Sequence, residues 1–314
     1  MSRLKNKKIL VTGSSGFLGN ALCKKLRSNN YNVLGSVRNK SLLKTKENSI
    51  YIKSLDINTN WKEALKGCNV VIHLAARAHI LNDKVSNPLE EFRKINKEGT
   101  LNLAKQAVDS GVSRFIFISS IGVNGTVTSN TKLTPDDIPS PHSPYAISKL
   151  EAEQELIDLA NNTSLEVVII RSPAIYGPNA PGNFGMLEKF IKKGVPLPVG
   201  KINNKRSLVA IENIVSFIEV CINHKNAINN VLFVSDNNDL STLDVVKIIS
   251  KMNNRKPKIV NLPIRFIWFM VKLLGKQKVG DSLMSDLQLD VSKSIESLDW
   301  NPPFNPKTIL EDLN

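Results

Sequence analysis

The stretch "ILVTGSSGFLG" at positions 9–19 restricts the fold of this chain more than any other. Gly13, Gly16 and Gly19 give G-x-x-G-x-x-G directly after an apolar, β-branched run and directly before the periodic segment "FLGNALCKKLRS". Glycine in the first place permits a tight turn, in the second lets the backbone approach a pyrophosphate, and in the third lets a helix lie close against the strand. The N–H groups of the helix's first turn then face the anion. A glycine-rich turn without a ligand leaves this spacing unexplained, so the chain is expected to open with a nucleotide-binding strand, turn and helix.

Further along, the Val- and Ile-rich runs "YNVLGSV", "SIYIKSL", "NVVIHLAA", "RFIFISS" and "LEVVIIRS" alternate with longer stretches of helical period. Nearly continuous apolar strands separated by segments of crossover length predict an α/β fold, with a parallel sheet covered by helices on both faces. Residues 88–108 start with Pro88 and space Leu89, Phe92, Ile95, Leu101, Leu103 and Ala104 as one helix face does, with Gly99 as the exception. Beyond about residue 176 the pattern breaks into short pieces punctuated by Pro and Gly, "GVPLPVG" being one. The expected organisation is a cofactor domain over 1–175 and, over 176–314, a smaller α/β substrate-binding region interleaved with it.

A formal net charge of +14, from 42 Lys+Arg against 28 Asp+Glu, raises the question of nucleic acid or an anionic membrane. The basic residues fall in small groups, such as Lys5, Lys7 and Lys8 or Lys251, Arg255, Lys256 and Lys258, and aromatics are only 6%. No stacking platform for single strands is evident, so a solvated lysine-rich surface is expected and a nucleic-acid partner is not. A basic cleft would also suit an anionic small substrate. Cys23, Cys68 and Cys221 lie far apart, which signals neither a zinc site nor a disulfide framework and fits a reducing compartment. His73 and His79 read as structural or solvent-facing, since no cluster of metal ligands accompanies them. The N-terminal "MSRLKNKKILVTG" holds too few apolar residues for a signal-peptide core. "PIRFIWFMVKLLG" (263–275) carries Arg265 and Lys272 and is too short to span a bilayer. Its first reading is an amphipathic cap helix packed on the domain, and its second is docking at a membrane surface. The expected location is the cytoplasm.

Two short stretches bear on chemistry. In "VLGSVRN" (33–39) a dinucleotide-binding chain commonly ends its second strand in Asp or Glu to hold a ribose hydroxyl; here Val37 and Arg38 stand there. In "SPYAISK" (143–149) Tyr145 and Lys149 are four residues apart, on one helix face, with Ser143 as a plausible N-cap and Pro144 as first helical residue. A phenol ionises near pH 10, and an adjacent ammonium favours its anion. By itself the pair also occurs by chance on ordinary helices.

Taken together these motifs resemble the extended short-chain dehydrogenase/reductase superfamily, in its nucleotide-sugar epimerase/dehydratase branch, over nearly the whole chain. The resemblance implies a Rossmann-type doubly wound sheet and a nicotinamide cofactor. "VTGSSGFLG" is similar to the cofactor loop, placing Gly13, Ser15, Gly16, Phe17, Leu18 and Gly19 at the phosphates. "SLDI" would bring Asp56 and Ile57 to the adenine, and "VIHLAARA" would carry Leu74, Ala75, Ala76 and Arg77 under the cofactor. "INKEGT" supplies Asn96, "FISSIGVNG" supplies Ser119 and the catalytic hydroxyl Ser120, and "IIRSPAIYGP" brings Ser172, Pro173 and Ile175 to the nicotinamide. On the substrate side the resemblance implies Ser120, Asn124, Asn183 and Arg206, the last two near a sugar nucleotide's diphosphate. "LDWNPPF" is similar to the branch's closing signature. Tyr145 would exchange a proton with a sugar oxygen, Lys149 would bind the cofactor ribose and bias Tyr145 toward its anion, and Ser120 would hydrogen-bond the same oxygen. The branch also includes homodimers built on a bundle containing the Tyr-Lys helix.

Departures from the branch narrow the reaction. Its 4,6-dehydratases carry Asp-Glu after the catalytic hydroxyl, where this chain has Ile121 and Gly122, so dehydration is not expected. Asn124 replaces the aromatic of the usual V-Y-G. Arg38 resembles the 2'-phosphate arginine of NADP users, so NADP(H) is expected ahead of NAD(H), and a consumed reductant favours reduction. The leading reading is thus a 4-keto reductase of a UDP-linked N-acetylhexosamine or its 4-keto-6-deoxy derivative, resembling O-antigen-cluster members that make surface polysaccharide precursors. A UDP-sugar 4-epimerase comes second, and a non-catalytic NADP-binding sensor or scaffold a distant third.

Overall fold

The computed structural model describes residues 7–44, 48–78, 85–273, 275 and 277–311. The first apolar run forms β1 (Lys8–Thr12), and the glycine turn delivers the chain into α1 (Phe17–Ser28). Next come β2 (Asn32–Val37), β3 (Ser49–Tyr51), the one-turn α2 (Lys62–Leu65) and β4 (Val70–His73). A helical run, α3 (Pro88–Phe92) to α4 (Gly99–Asp109), leads to β5 (Arg114–Ser120), and α5 (Pro144–Asn161) leads to β6 (Glu166–Ser172). The second half supplies β7 (Ile175–Tyr176), α6 (Gly182–Lys192), β8 (Val209–Ala210), α7 (Ile211–Asn223) and β9 (Asn230–Phe233). It closes with α8 (Thr242–Met252), α9 (Ile264–Leu273), α10 (Gln277–Met284), α11 (Ser292–Leu298) and α12 (Pro306–Glu311).

Seven strands form one sheet in the order β3-β2-β1-β4-β5-β6-β9, with every pair parallel. This is the doubly wound Rossmann-type α/β architecture expected from the sequence. The chain runs outward from β1 to β3, then returns to lay β4 on the other side of β1. A crevice opens outside the carboxyl ends of β1 and β4, where such sheets receive ligands. Successive strand residues point to opposite faces, and both faces are buried, which is why the strands are apolar throughout. Ile9, Val11 and Val70 meet Leu22 and Leu26 of α1 and Phe217 of α7, while Leu10, Val71 and Phe115 meet Leu103 of α4 and Leu156 of α5. Trp300, from the closing "LDWNPPF", packs edge-on against Phe217 with ring centroids 4.8 Å apart.

Two features depart from expectation. The seventh strand, β9, comes from the second half of the chain, where a short apolar run between asparagines and Asp236 carries no clear strand signal. The helix expected over 88–108 is continuous in course but changes pitch, because Arg93–Glu98 form a π-helical segment. Gly99 follows it at the point where a Cβ would come within 2.8 Å of the Leu55 carbonyl oxygen. The helical run is therefore pressed against the loop bearing Asp56, and the exceptional glycine is the condition for that approach. On the far side, α6, α8 and α9 form a cap with its own small core around Ile191, Val246, Ile249 and Ile267. Among the described residues no helix is long and apolar enough to cross a membrane.

Candidate active site

At the end of β1, Gly13 takes the left-handed conformation (φ +67°), and a Cβ there would lie about 3.0 Å from the Ala75 backbone nitrogen. Gly16 donates to the Gly13 carbonyl at 2.9 Å and caps α1 without any side-chain hydrogen bond. A Cβ on Gly19 would overlap the Gly13 carbonyl, so only glycine lets α1 start so close to the strand. An uncapped helix N-terminus beside the exposed Ser15 and Gly16 is a donor set that fits a dinucleotide pyrophosphate. Phe17 and Leu18 lie in the first turn, and the Phe17 ring approaches the position of a Cβ on Gly177, just past β7.

The second group gathers at the ends of β4, β5 and β6. Ser143 accepts from the Ala146 N–H at 3.1 Å and, with Pro144 following, starts α5 so that Tyr145 lies in its first turn. Ser120 ends β5, its Oγ accepting from the Gly122 N–H at 3.1 Å. A Cβ on Gly122 would lie 3.5 Å from that of Ala146, so the turn after Ser120 abuts the first turn of α5. Lys149 is buried, and its Nζ stands 3.8 Å above the Phe117 ring, three residues before Ser120 on the same strand. Phe92 meets the Tyr145 ring edge-on at 6.0 Å. Ser119 Oγ, also buried, has no hydrogen-bond partner among the described residues, as a ligand-receiving group would require.

The electrostatics differ from the sequence expectation in one respect. Burial pushes the Tyr145 phenol up to about 12, and no charge offsets it. Burial likewise pushes the Lys149 ammonium down to about 7, opposed by the Glu153 carboxylate. The sequence implied that Lys149 would favour the tyrosine anion. Among the described residues no hydrogen bond joins the two, and the apolar wall disfavours both charges.

Beneath the site runs a buried polar relay that the sequence reading missed. Thr12 Oγ1 accepts the N–H groups of Leu74 and Ala75, each at 3.1 Å, and meets His73 Nδ1 at 2.8 Å. Thr100 Oγ1 donates to the Asn96 carbonyl and therefore accepts from His73 Nε2 at 3.0 Å, which leaves Nδ1 to accept from Thr12. Burial holds His73 neutral, with its ionisation pushed down to about 3. His73 is thus structural, whereas His79 lies outside the described residues. Asn96, in the π-helical segment, accepts from the Arg77 N–H at 2.8 Å and donates to the Arg77 carbonyl and to Ser148 Oγ. The relay ties the Leu74–Arg77 segment, with Ala76 inside it, to the helix carrying Tyr145. Thr12 and Thr100 lie inside "VTGSSGFLG" and "INKEGT", but their hydrogen-bond partners are set only in three dimensions.

A second buried cluster contains Glu153, one turn beyond Lys149, which binds Arg171 of β6 with N–O distances down to 2.7 Å. Arg171 Nη1 also donates to Asn124 Oδ1 at 2.9 Å. Two signals pointed here: the i, i+4, i+8 spacing of Tyr145, Lys149 and Glu153, and a lone charge in the apolar strand "VVIIRS". Asn124, expected on the substrate side, is buried and spends its carboxamide on Arg171 and on the Thr134 carbonyl.

The remaining candidates lie at the rim. Val37 is buried and Arg38 exposed just past β2, whose Ser36 carbonyl accepts from Ser14 Oγ. Asp56 folds its carboxylate onto the Asn58 N–H and Thr59 Oγ1, and Ile57 is exposed. Ser172 Oγ donates to the Pro173 carbonyl, and Ile175 begins β7. Asn183 is exposed in the first turn of α6. Arg206 is half-buried and donates to the Ser285 carbonyl at 2.9 Å, which ties the cap together.

Comparison with known proteins sharpens this picture. A family model described as "NAD dependent epimerase/dehydratase family" matches residues 9–234. A Vibrio cholerae protein named UDP-glucose 4-epimerase is 44% identical over 302 residues, covering 95% of this chain and 91% of that protein. An Escherichia coli O157:H7 protein named N-acetyl-alpha-D-glucosaminyl-diphospho-ditrans,octacis-undecaprenol 4-epimerase is 30% identical, covering 82% of this chain and 76% of the other. The crystal structure of UDP-glucuronic acid 4-epimerase from Bacillus cereus in complex with NAD superposes with a TM-score of 0.75 at 25% identity, covering 97% of this chain and 94% of that one.

Proposed function

This chain belongs to the NAD-dependent epimerase/dehydratase family, and we propose that within it the protein is a UDP-sugar 4-epimerase. The observation that carries the reading is 44% identity, over 95% of the chain, to the Vibrio cholerae protein named UDP-glucose 4-epimerase. The two further relatives described above are also named as 4-epimerases of diphosphate-linked sugars. Their names support placing 4-epimerisation ahead of the 4-keto reduction that the sequence ranked first. The residue after Ser120 agrees: Ile121 packs into the core with Phe233 and Leu287, so no acid–base pair follows the serine to drive elimination of water.

In this reading the cofactor is NAD, held by the Gly13–Gly19 turn and the uncapped start of α1, with Lys149 at its ribose. Bound there, the nicotinamide would supply a reversible hydride acceptor for C4 of the sugar. The chain's own residues manage the proton. Tyr145 removes it from the C4 hydroxyl and later restores it. Ser120 accepts from Gly122, which leaves its O–H to donate to the same sugar oxygen. Lys149, its ionisation lowered to about 7 by burial, has no hydrogen-bond acceptor for its ammonium among the described residues; a bound ribose would give it one, and its charge would then favour the Tyr145 anion. Asn183 and Arg206 lie on the cap and would receive the nucleotide diphosphate.

The test is an NMR assay of the purified protein with UDP-glucose, and separately with UDP-N-acetylglucosamine, in the presence of NAD. Interconversion with the C4 epimer and no net change in nicotinamide absorbance is the expected result. Inertness toward both, together with stoichiometric NADPH oxidation on a UDP-4-keto sugar, would restore the reductase.

A further inference from the structure

The cap carries a surface that the proposed chemistry does not use. Helix α9 turns Ile267 into the cap core, with Val271 packed beside it, and rests Trp268 near Gly280 of α10. Its other side is apolar as well. Phe266, Phe269 and Leu273, at i, i+3 and i+7, are 49%, 61% and 71% exposed, and Met270 joins the same stripe. Arg265 and Lys272, two turns apart and both exposed, run along one edge of it. Large apolar side chains that are exposed singly need no explanation, whereas a contiguous stripe on one helix marks something that covers it.

The charge of the sequence segment that holds α9, with Arg265 and Lys272 on the helix itself, says what that is. Between Asp244 and Asp281 the chain carries nine Lys and Arg and no Asp or Glu. A second copy of the protein seated on this face would bring like charge against like charge, which opposes a self-complementary interface. An anionic bilayer satisfies both halves of the surface at once, accepting the Phe and Leu side chains below the headgroups and the cations among the phosphates. With ten residues α9 spans about 15 Å, half the hydrocarbon thickness, so it can lie in the interface but cannot cross it.

We propose that the outer face of α9, with the exposed Arg265 and Lys272 along its edge, docks the protein on an anionic lipid surface. The docking is peripheral and reversible, because one short helix buries little area, and it places the cap rather than the sheet toward the bilayer. It does not depend on which sugar the site accepts.

The test is co-sedimentation of the full chain with vesicles of phosphatidylcholine alone and of equimolar phosphatidylcholine and phosphatidylglycerol, beside the double variant Phe266→Glu/Phe269→Glu. The wild type should pellet with the anionic vesicles, lose that binding as salt is raised, and bind neutral vesicles weakly. The double variant should bind the anionic vesicles about tenfold less tightly or worse while keeping the wild-type circular dichroism spectrum and sugar turnover. Failure of the wild type to pellet, or equal pelleting of the variant, would overturn the proposal. So would a wild-type dimer in sedimentation velocity that the double substitution dissociates, which would assign the face to a second copy. Binding to a duplex oligonucleotide without vesicle binding would likewise overturn it, in favour of nucleic acid. Because the assay reads lipid and not sugar, its failure is distinguishable from failure of the epimerase reading.

Discussion

Along the carboxyl edge of the sheet, the half above β4, β5 and β6 buries Asn96, Lys149 and Ser119, whereas the half above β1, β2 and β3 leaves Ser15, Arg38 and Ile57 exposed. In the closed half, side chains hold one another through the His73–Thr100–Asn96 relay, anchored on Thr12 at the end of β1, and through the Glu153–Arg171 pair, so geometry and proton affinity are set by the fold. In the open half the built element is backbone, the Gly13–Gly19 turn, and the exposed side chains are free to vary without disturbing a core. Acid–base work needs the first kind of environment, because burial moves ionisation by several units while solvent screens the same groups at the surface. Recognition of a phosphate needs only the second.

If that division is right, the largest effect comes from the closed half. Tyr145→Phe keeps the ring and its contact with Phe92 and removes only the proton-carrying oxygen. Turnover should fall by about a hundredfold or more, while NADH binding, followed by nicotinamide fluorescence, stays near the wild-type level. Turnover close to wild type would show that the closed half does not do the proton transfer.

Lys149→Met is the next largest and reads the environment itself. Burial lowers the folded-state ionisation of Lys149 from its usual 10.5 to about 7. Between those values the unfolded chain holds a proton that the folded chain does not, so this group makes stability rise with pH across that window. Below about pH 7 both states are protonated and the penalty for the buried charge is complete. In denaturant melts of cofactor-free protein, the methionine variant should be more stable by on the order of 2–4 kcal/mol near neutral pH, with the gap closing toward pH 10. A gap that does not change with pH would mean that Lys149 reaches solvent or a partner in the folded protein. The same variant should lose activity, so stability and function move in opposite directions at this position.

The two halves were unequally legible in the sequence. Glycine positions could be read because backbone conformation and close approach exclude other residues, and Tyr145 with Lys149 could be read because helical spacing puts them on one face. The parallel sheet was legible through β6, since each strand is apolar on both sides. The strand β9 escaped because a four-residue run between polar residues carries too little periodicity to be told from a loop. The π-helical pitch at Asn96 escaped too, leaving only Gly99 as a trace. Thr12, His73 and Thr100 are joined by contacts across three elements, which no linear pattern encodes. The motif implies a substrate role for Asn124, and what it does not encode is that the carboxamide is held by Arg171, 47 positions away. In the cap, the amphipathic pattern of α9 agrees with its packed side, where Ile267 enters the core, but a linear pattern does not show that its second apolar stripe stays exposed.

The smallest effect is expected in the open half, at Arg38. Its guanidinium lies exposed past the end of β2, beside a buried Val37 that can make no ribose hydrogen bond. An epimerase that recycles its cofactor within each turnover needs nothing from a 2'-phosphate. Arg38→Ala should therefore leave NADH affinity nearly unchanged and weaken NADPH by no more than about tenfold, or about 1.4 kcal/mol, as expected for one screened contact with a phosphate. Fluorescence titration of both nucleotides against both proteins measures this. A wild-type preference for NADPH of more than about tenfold that vanishes in the variant would show the open half selecting the cofactor as strictly as the closed half controls the proton. That result would also make a consumed reductant, and with it keto-sugar reduction, the better account of the site.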